Sequence, residues 1–290
     1  MVPSSVTYAV QRPDAMKALP RAAVILSLVS LACAAAAAVT TLLWSGSFPE
    51  PSPAPAFNGA LAEARGWSAA TLGLALPLMG ASLLATRRGS LRARLVWLGT
   101  LAYLVYTYLE FAVSPPFTAL YLVYVSAFGC AIAALVMGAT SLDMAAVTSA
   151  FADRVPRRTT AAFGLVSSLM LAGAWLKEIV ARSLAGDFGW PQGEDAIRHV
   201  VHALDLGLQV PLGIAAGLLL FRRRPYGYVV AAILLVNAVC MGAALTTMVA
   251  FSARASGRSV LAATPFALVA GLAITLAWAF FRSMRDLPKR

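Results

Sequence analysis

The chain reads as an all-α, polytopic transmembrane helical bundle of about eight spans, and three observations predict it. Its composition is 60% hydrophobic and only 12% charged, with a mean hydropathy of +0.78, whereas soluble domains carry roughly 25% charged residues. Apolar segments of about twenty residues, long enough to cross a hydrocarbon core of ~30 Å, recur from one end of the sequence to the other. The basic residues, finally, sort by side. With the N-terminus inside, 17 of the 23 Lys and Arg residues fall on inner segments, including Arg87, Arg88, Arg157, Arg158 and Arg222-Arg223-Arg224. This positive-inside bias places both termini in the cytoplasm of a cell whose inner (plasma) membrane holds the protein. Eight of the twelve acidic residues show the reverse bias, among them Glu63, Glu110, Glu178 and Asp205. The net charge of +11 is therefore read as topology, with membrane lipid as the partner, and nucleic acid is not expected.

Taken in order, residues 1–20 form a polar cytoplasmic tail, and the first span covers 21–44. Its apolar run is too long for the hydrophobic region of a signal peptide, so it reads as a retained anchor. The outer linker, 45–67, holds Phe48-Pro49-Glu50-Pro51-Ser52-Pro53-Ala54-Pro55, whose prolines favour an extended path. Residues 58–66 suit a short interfacial helix capped by Asn58, with Glu63 and Arg65 on its polar side. Spans at 68–86 and 95–113 make a hairpin through Arg87 to Arg94, and a fourth at 118–141 completes a first half, 21–141. A cytoplasmic joint, 142–159, leads to a second half, 160–282, with spans at 160–184, 199–221, 226–253 and 261–282 and a basic tail, 283–290. Cys33, Cys130 and Cys240 lie inside spans without paired spacing and read as packing residues.

A local repeat joins the halves. Asp205-Leu206-Gly207-Leu208-Gln209-Val210-Pro211-Leu212 matches Thr71-Leu72-Gly73-Leu74-Ala75-Leu76-Pro77-Leu78, 134 residues earlier, at five of eight positions. Each copy runs on to a basic turn, with Arg88 in the register of Arg222. Four spans on each side of the joint give both copies the same orientation, so a four-plus-four parallel internal repeat is expected. Gly213 and Gly217 form a G-x-x-x-G pair that suits close helix contact, either within the chain or in a homodimer.

The unshared positions carry the functional signal. On the sixth span His199, His202, Asp205, Gln209 and Gly213 fall within about 120° of one another, a polar stripe descending from the outer surface. A charged side chain at mid-bilayer costs about 2.5 to 3.5 kcal/mol, so Asp205 is expected to face protein or water. Tyr103, Tyr106, Thr107 and Glu110 share a face of the third span. At 1.5 Å per residue Glu110, Asp205, Lys177 and Glu178 all lie roughly 22 to 26 Å from the inner ends of their spans. A convergent outward-facing pocket of His202, Asp205, Gln209, Glu110, Tyr106 and Lys177 or Glu178 is expected, with Asn237 as its floor. Structural alternatives stay open: Asp205 paired with Lys177 or Arg198 as a helix lock, and Glu178 paired with Arg182 at i,i+4.

Binding or transport of a small-molecule ligand asks for the least machinery, namely a polar pocket and an ionisable residue. A membrane-embedded hydrolase using His202 and Asp205 would need a nucleophile at the same depth, and no serine motif supplies one. His199 and His202 at i,i+3, without a third histidine, make a poor metal site; no metal, cofactor or catalytic residue is assigned. A structural or assembly role is the remaining reading.

The hairpin Arg87-Arg88-Gly89-Ser90-Leu91-Arg92, the tyrosine-rich Tyr103 to Tyr108, and His202-Ala203-Leu204-Asp205-Leu206-Gly207-Leu208-Gln209-Val210-Pro211 running to Arg222-Arg223-Arg224-Pro225-Tyr226-Gly227-Tyr228 resemble a family of polytopic prokaryotic integral membrane proteins of unknown function. The resemblance covers most of residues 68–250 and implies architecture, with no substrate. It also implies an acidic residue at position 71, where this chain has Thr71.

Overall fold

The computed structural model describes residues 18–47, 59–114, 116–151, 155–189 and 194–285. The tail before residue 18, the proline run with Asn58, the Asp153-Arg154 part of the joint and the last five residues lie outside the described residues. Nine helices are described: α1 Arg21–Leu43, α2 Ala60–Arg87, α3 Leu91–Val113, α4 Tyr121–Thr140, α5 Met144–Ala150, α6 Arg157–Leu184, α7 Asp195–Phe221, α8 Pro225–Ala255 and α9 Val260–Arg282. All but α5 are long and apolar enough to cross a membrane, which makes this a multi-pass membrane protein by length and composition.

Two boundaries differ from the sequence reading. No separate interfacial helix precedes the second span; α2 is continuous from Ala60. Glu63 and Arg65 look like a solvent face in sequence, yet both turn to protein: Glu63 Oε1 accepts from Ser252 Oγ at 3.2 Å and Arg65 Nε donates to the Thr41 carbonyl at 3.3 Å. The joint, read as a loop, holds α5, whose N-cap Asp143 accepts from the Ala145 amide at 2.9 Å.

Packing is centred on α3 and α8. α3 contacts α2, α4 and α8, while α8 also contacts α7 and α9. α3 buries its whole length, including Arg94, Trp97, Tyr103 and Tyr108. Hydrocarbon is as apolar as leucine, so burial of apolar area cannot drive helices together in a bilayer; close backbone approach and interhelical hydrogen bonds must do so. Both are present. Trp97 Nε1 donates to Ser27 Oγ at 3.1 Å, Ser30 Oγ to the Ala127 carbonyl at 2.9 Å and Tyr108 OH to the Ala34 carbonyl at 3.0 Å. At the α2–α8 contact Gly66 lies so near that a Cβ would come within 2.5 Å of the Thr247 carbonyl, and at α3–α8 Gly99 lies against the Ile233 carbonyl and Val236.

Gly213 and Gly217 use their face inside the chain. A Cβ on Gly217 would meet Leu165 at 2.6 Å and the Ala161 carbonyl at 3.1 Å, and Gly213 abuts Ser168, so α6 occupies the surface that a homodimer through this pair would need. The outer flank of α6 is exposed, with Met170 at 72% and Leu184 at 85%.

The end of α9 is tied to the joint. The Arg285 amide donates to the Ala150 carbonyl at 2.8 Å, Arg92 donates to the Met284 carbonyl, and Phe151 stacks on Tyr228 with ring centres 4.7 Å apart.

Candidate functional site

Both repeat octapeptides contain a π turn, at the same register: Thr71–Ala75 in α2 and Asp205–Gln209 in α7. In each the widened i→i+5 bond closes the turn, from the Leu76 amide to the Thr71 carbonyl and from the Val210 amide to the Asp205 carbonyl. Pro77 and Pro211 supply the cause. A proline within a helix has no amide proton and drives its ring against the carbonyl four residues back, here that of Gly73 or Gly207. Opening the turn by one residue relieves that clash, and both glycines stand in open space. Such π turns are rare and occur mostly at functional sites.

The first residue of each turn is buried and bonded to a tyrosine of α3. Thr71 Oγ1 and Tyr103 OH are 2.7 Å apart, while Tyr106 OH donates to Asp205 Oδ1 at 2.8 Å. The other oxygen, Asp205 Oδ2, accepts from Trp175 Nε1 of α6, also at 2.8 Å. Asp205 is 7% exposed and fastens α3, α6 and α7 at one point. Its partners are neutral donors. The structure thus replaces the expected pairing of Asp205 with Lys177 or Arg198 by two hydrogen bonds that leave the carboxylate charge unbalanced by any contacting cation.

A charged rim lies outward of this point. The Trp175 ring packs on His202 at 4.5 Å between centres, and His202 Nε2, buried and without a hydrogen bond, is 3.8 Å from Glu178 Oε2. Glu178 Oε1 is 3.4 Å from Arg198 Nη1. Arg182 pairs with Asp195 at 2.7 Å and Asp187 at 3.8 Å, so the i,i+4 pairing with Glu178 does not form. Two sequence distant segments, the end of α6 and the start of α7, are thereby stapled together. Exposed pairs of this kind contribute little individually, ~0 to 1 kcal/mol.

Of the eight expected site residues, Asp205, Tyr106, His202 and Glu178 are linked by these contacts. Glu110 is separate but adjacent: with Glu63, Trp67, Phe111, Ser114 and Ile197 it lines a cavity of about 60 Å³ between α2, α3, α7 and α8, room for one or two water-sized groups. Gln209 is half-buried at the end of the π turn. Asn237 is buried in α8, its Oδ1 without a hydrogen-bond partner. Lys177 is a correction: it is exposed and forms no ion pair among the described residues, because α6 turns Trp175 and Glu178 inward and leaves Lys177 on its outer side.

Trp175 and Glu63 were not singled out as site residues. Trp175 reads in sequence as a helix-end aromatic, and its spacing from Glu178 (i,i+3, one helical face) was the available signal. No serine, threonine or cysteine hydrogen-bonds His202 among the described residues, so the hydrolase reading gains no nucleophile. No group of three or more metal-ligating side chains converges among them either.

The two donors to Asp205 give a first prediction. Hydrogen bonds to a charged group are worth about 1.5 to 3 kcal/mol, so Tyr106→Phe and Trp175→Phe should each lower unfolding stability by roughly that amount, measured by denaturant titration in detergent micelles. In double-mutant cycles both losses should shrink when Asp205 is also changed; additive losses would show that these bonds do not form.

No family model, curated protein or solved structure matches the chain, so its fold and its site are argued from its own residues.

Proposed function

We propose that this protein binds or transports a small solute through a polar layer in the outer half of the membrane, with Asp205 as the central ligand-facing charge. The observation that carries this reading is the Asp205 carboxylate itself, buried in a π turn and held by Tyr106 and Trp175 rather than by a cation. A charge that served only to lock helices would be cheaper if paired, since an uncompensated buried charge is costly in a bilayer. Glu63 and Glu110 beside it make the layer acidic, which favours a cationic or proton-donating solute. Four spans before the joint and four after it, in an inner (plasma) membrane with both termini cytoplasmic, form the scaffold. Support for a parallel duplication comes from the two π turns at one register and from Gly99, which lies 2.9 Å from the carbonyl of Ile233, its own counterpart 134 residues on, as a residue near a twofold axis would.

The test is uptake into proteoliposomes of a panel of small solutes, ammonium and methylammonium first, with internal pyranine to read proton movement. Wild type should give solute-dependent signal that Asp205→Asn lacks. A signal equal in both proteins refutes the assignment.

A further inference from the structure

At the opposite end of the bundle, far from Asp205, lies a much larger cavity of about 580 Å³ between the start of α1, the end of α2 and the start of α3. Arg21, Arg87 and Arg94 line it, together with Thr86, Val24 and Ile25, and none of the described lining residues is acidic. Arg94 is 1% exposed and anchored by a bond to Ser141 Oγ, so its guanidinium is fixed in the wall, whereas Arg21 and Arg87 stand exposed at the mouth. Three guanidinium groups around one cavity repel one another unless an anion sits among them, and the planar guanidinium fork is well matched to phosphate oxygens.

The walls also say where the rest of such a ligand would run. Ile25 on the lining, and Leu28 and Val29 further along α1, are exposed at 60%, 51% and 41%, an apolar track leading from the arginines into the span. A head that binds arginine and a tail that follows an apolar helix face describe a phospholipid. The second half lacks this arrangement: 134 residues after Arg94 stands Tyr228, which stacks on Phe151 and fills the corresponding corner.

We propose that this cavity is a binding site for the phosphate headgroup of an anionic phospholipid, with Arg21 and Arg87 closing on the phosphate, Arg94 at its base and an acyl chain along α1. The site does not depend on the solute reading of Asp205.

The experiment is lipid binding to the delipidated full-length protein in detergent, read by native mass spectrometry, with phosphatidylglycerol, phosphatidylcholine and sodium phosphate as separate probes. Phosphatidylglycerol should bind about tenfold or more tightly than phosphatidylcholine, and the exposed pair Arg21→Gln/Arg87→Gln should lose about tenfold in its affinity. The pair Arg222→Gln/Arg224→Gln, which lines no part of the cavity, should bind as wild type does. Equal binding of the two lipids, or unchanged binding in Arg21→Gln/Arg87→Gln, overturns the proposal. Sodium phosphate that saturates the site and displaces phosphatidylglycerol at equal concentration overturns the lipid assignment in favour of a free anion. Arg94→Gln is left out of the primary comparison because losing its bond to Ser141 could disturb folding.

Discussion

Asp205→Asn should reduce solute-dependent uptake by about 100-fold or more, equivalent to roughly 2.7 kcal/mol, while leaving the protein folded. The expectation of a surviving fold follows from the donors. Trp175 Nε1 can only donate and still finds the amide oxygen of asparagine. Tyr106 OH can rotate and accept from the amide NH2 group. Geometry is kept and only the charge is removed. Asp205→Ala differs: it strands both donors in a buried place, at about 1 to 3 kcal/mol each, and should unfold at markedly lower denaturant. The pair of variants separates function from architecture. If Asp205→Asn unfolds as readily as Asp205→Ala, the carboxylate is a structural lock and the solute reading loses its support.

Gly66→Ala should be the most damaging single methyl group that can be added to the bundle, costing about 2 to 3 kcal/mol. An alanine at position 66 would place its Cβ 2.5 Å from the Thr247 carbonyl and 2.6 Å from Met248 Cα, both backbone atoms that cannot swing aside. Helix propensity works the other way by about 1 kcal/mol, so the packing clash must exceed that gain to be seen. Gly129→Ala supplies the comparison. Gly129 is exposed on α4 with nothing within 4 Å, so its alanine should be neutral or slightly stabilising. Equal stability of the two variants, measured by denaturant titration in micelles, would mean that α2 and α8 do not approach as described.

Much of the site was legible because its members announce themselves by cost. An aspartate inside a run of Leu, Gly and Val needs a reason, and the stripe from His202 to Asp205 gave the face that would carry it. Tyr106 followed from sharing a face with Glu110 and from depth. Lys177 illustrates what that reasoning lacks. It has the same depth as Glu178, one position on, but adjacent residues on a helix point 100° apart and only the rotation of α6 about its axis selects between them. Trp175 was passed over for the same reason. The π turns had a usable signal, Gly-x-x-x-Pro in both copies, since that spacing sets a proline ring against the carbonyl of a glycine one turn back.

The start of α2 shows the complementary failure. Glu63 and Arg65 made residues 58–66 look like an element lying in the interface, because the local pattern of polar groups is the same whether they face water or protein. Ser252 and the Thr41 carbonyl, distant in sequence, meet Glu63 and Arg65 and let the helix continue without a break.

The sequence by itself determined the helical class, the number of long apolar segments and the residues too polar to face lipid. These are properties of single segments, fixed by hydrocarbon thickness and by the cost of burying charge, and they need no partner to be read. Only the tertiary structure decided which donors hold Asp205, that Gly213 and Gly217 pack on α6, and that Arg21, Arg87 and Arg94 surround one cavity. Those depend on the rotation and close approach of helices, which in a bilayer are set by small residues and hydrogen bonds spread over the whole bundle, not by any one span.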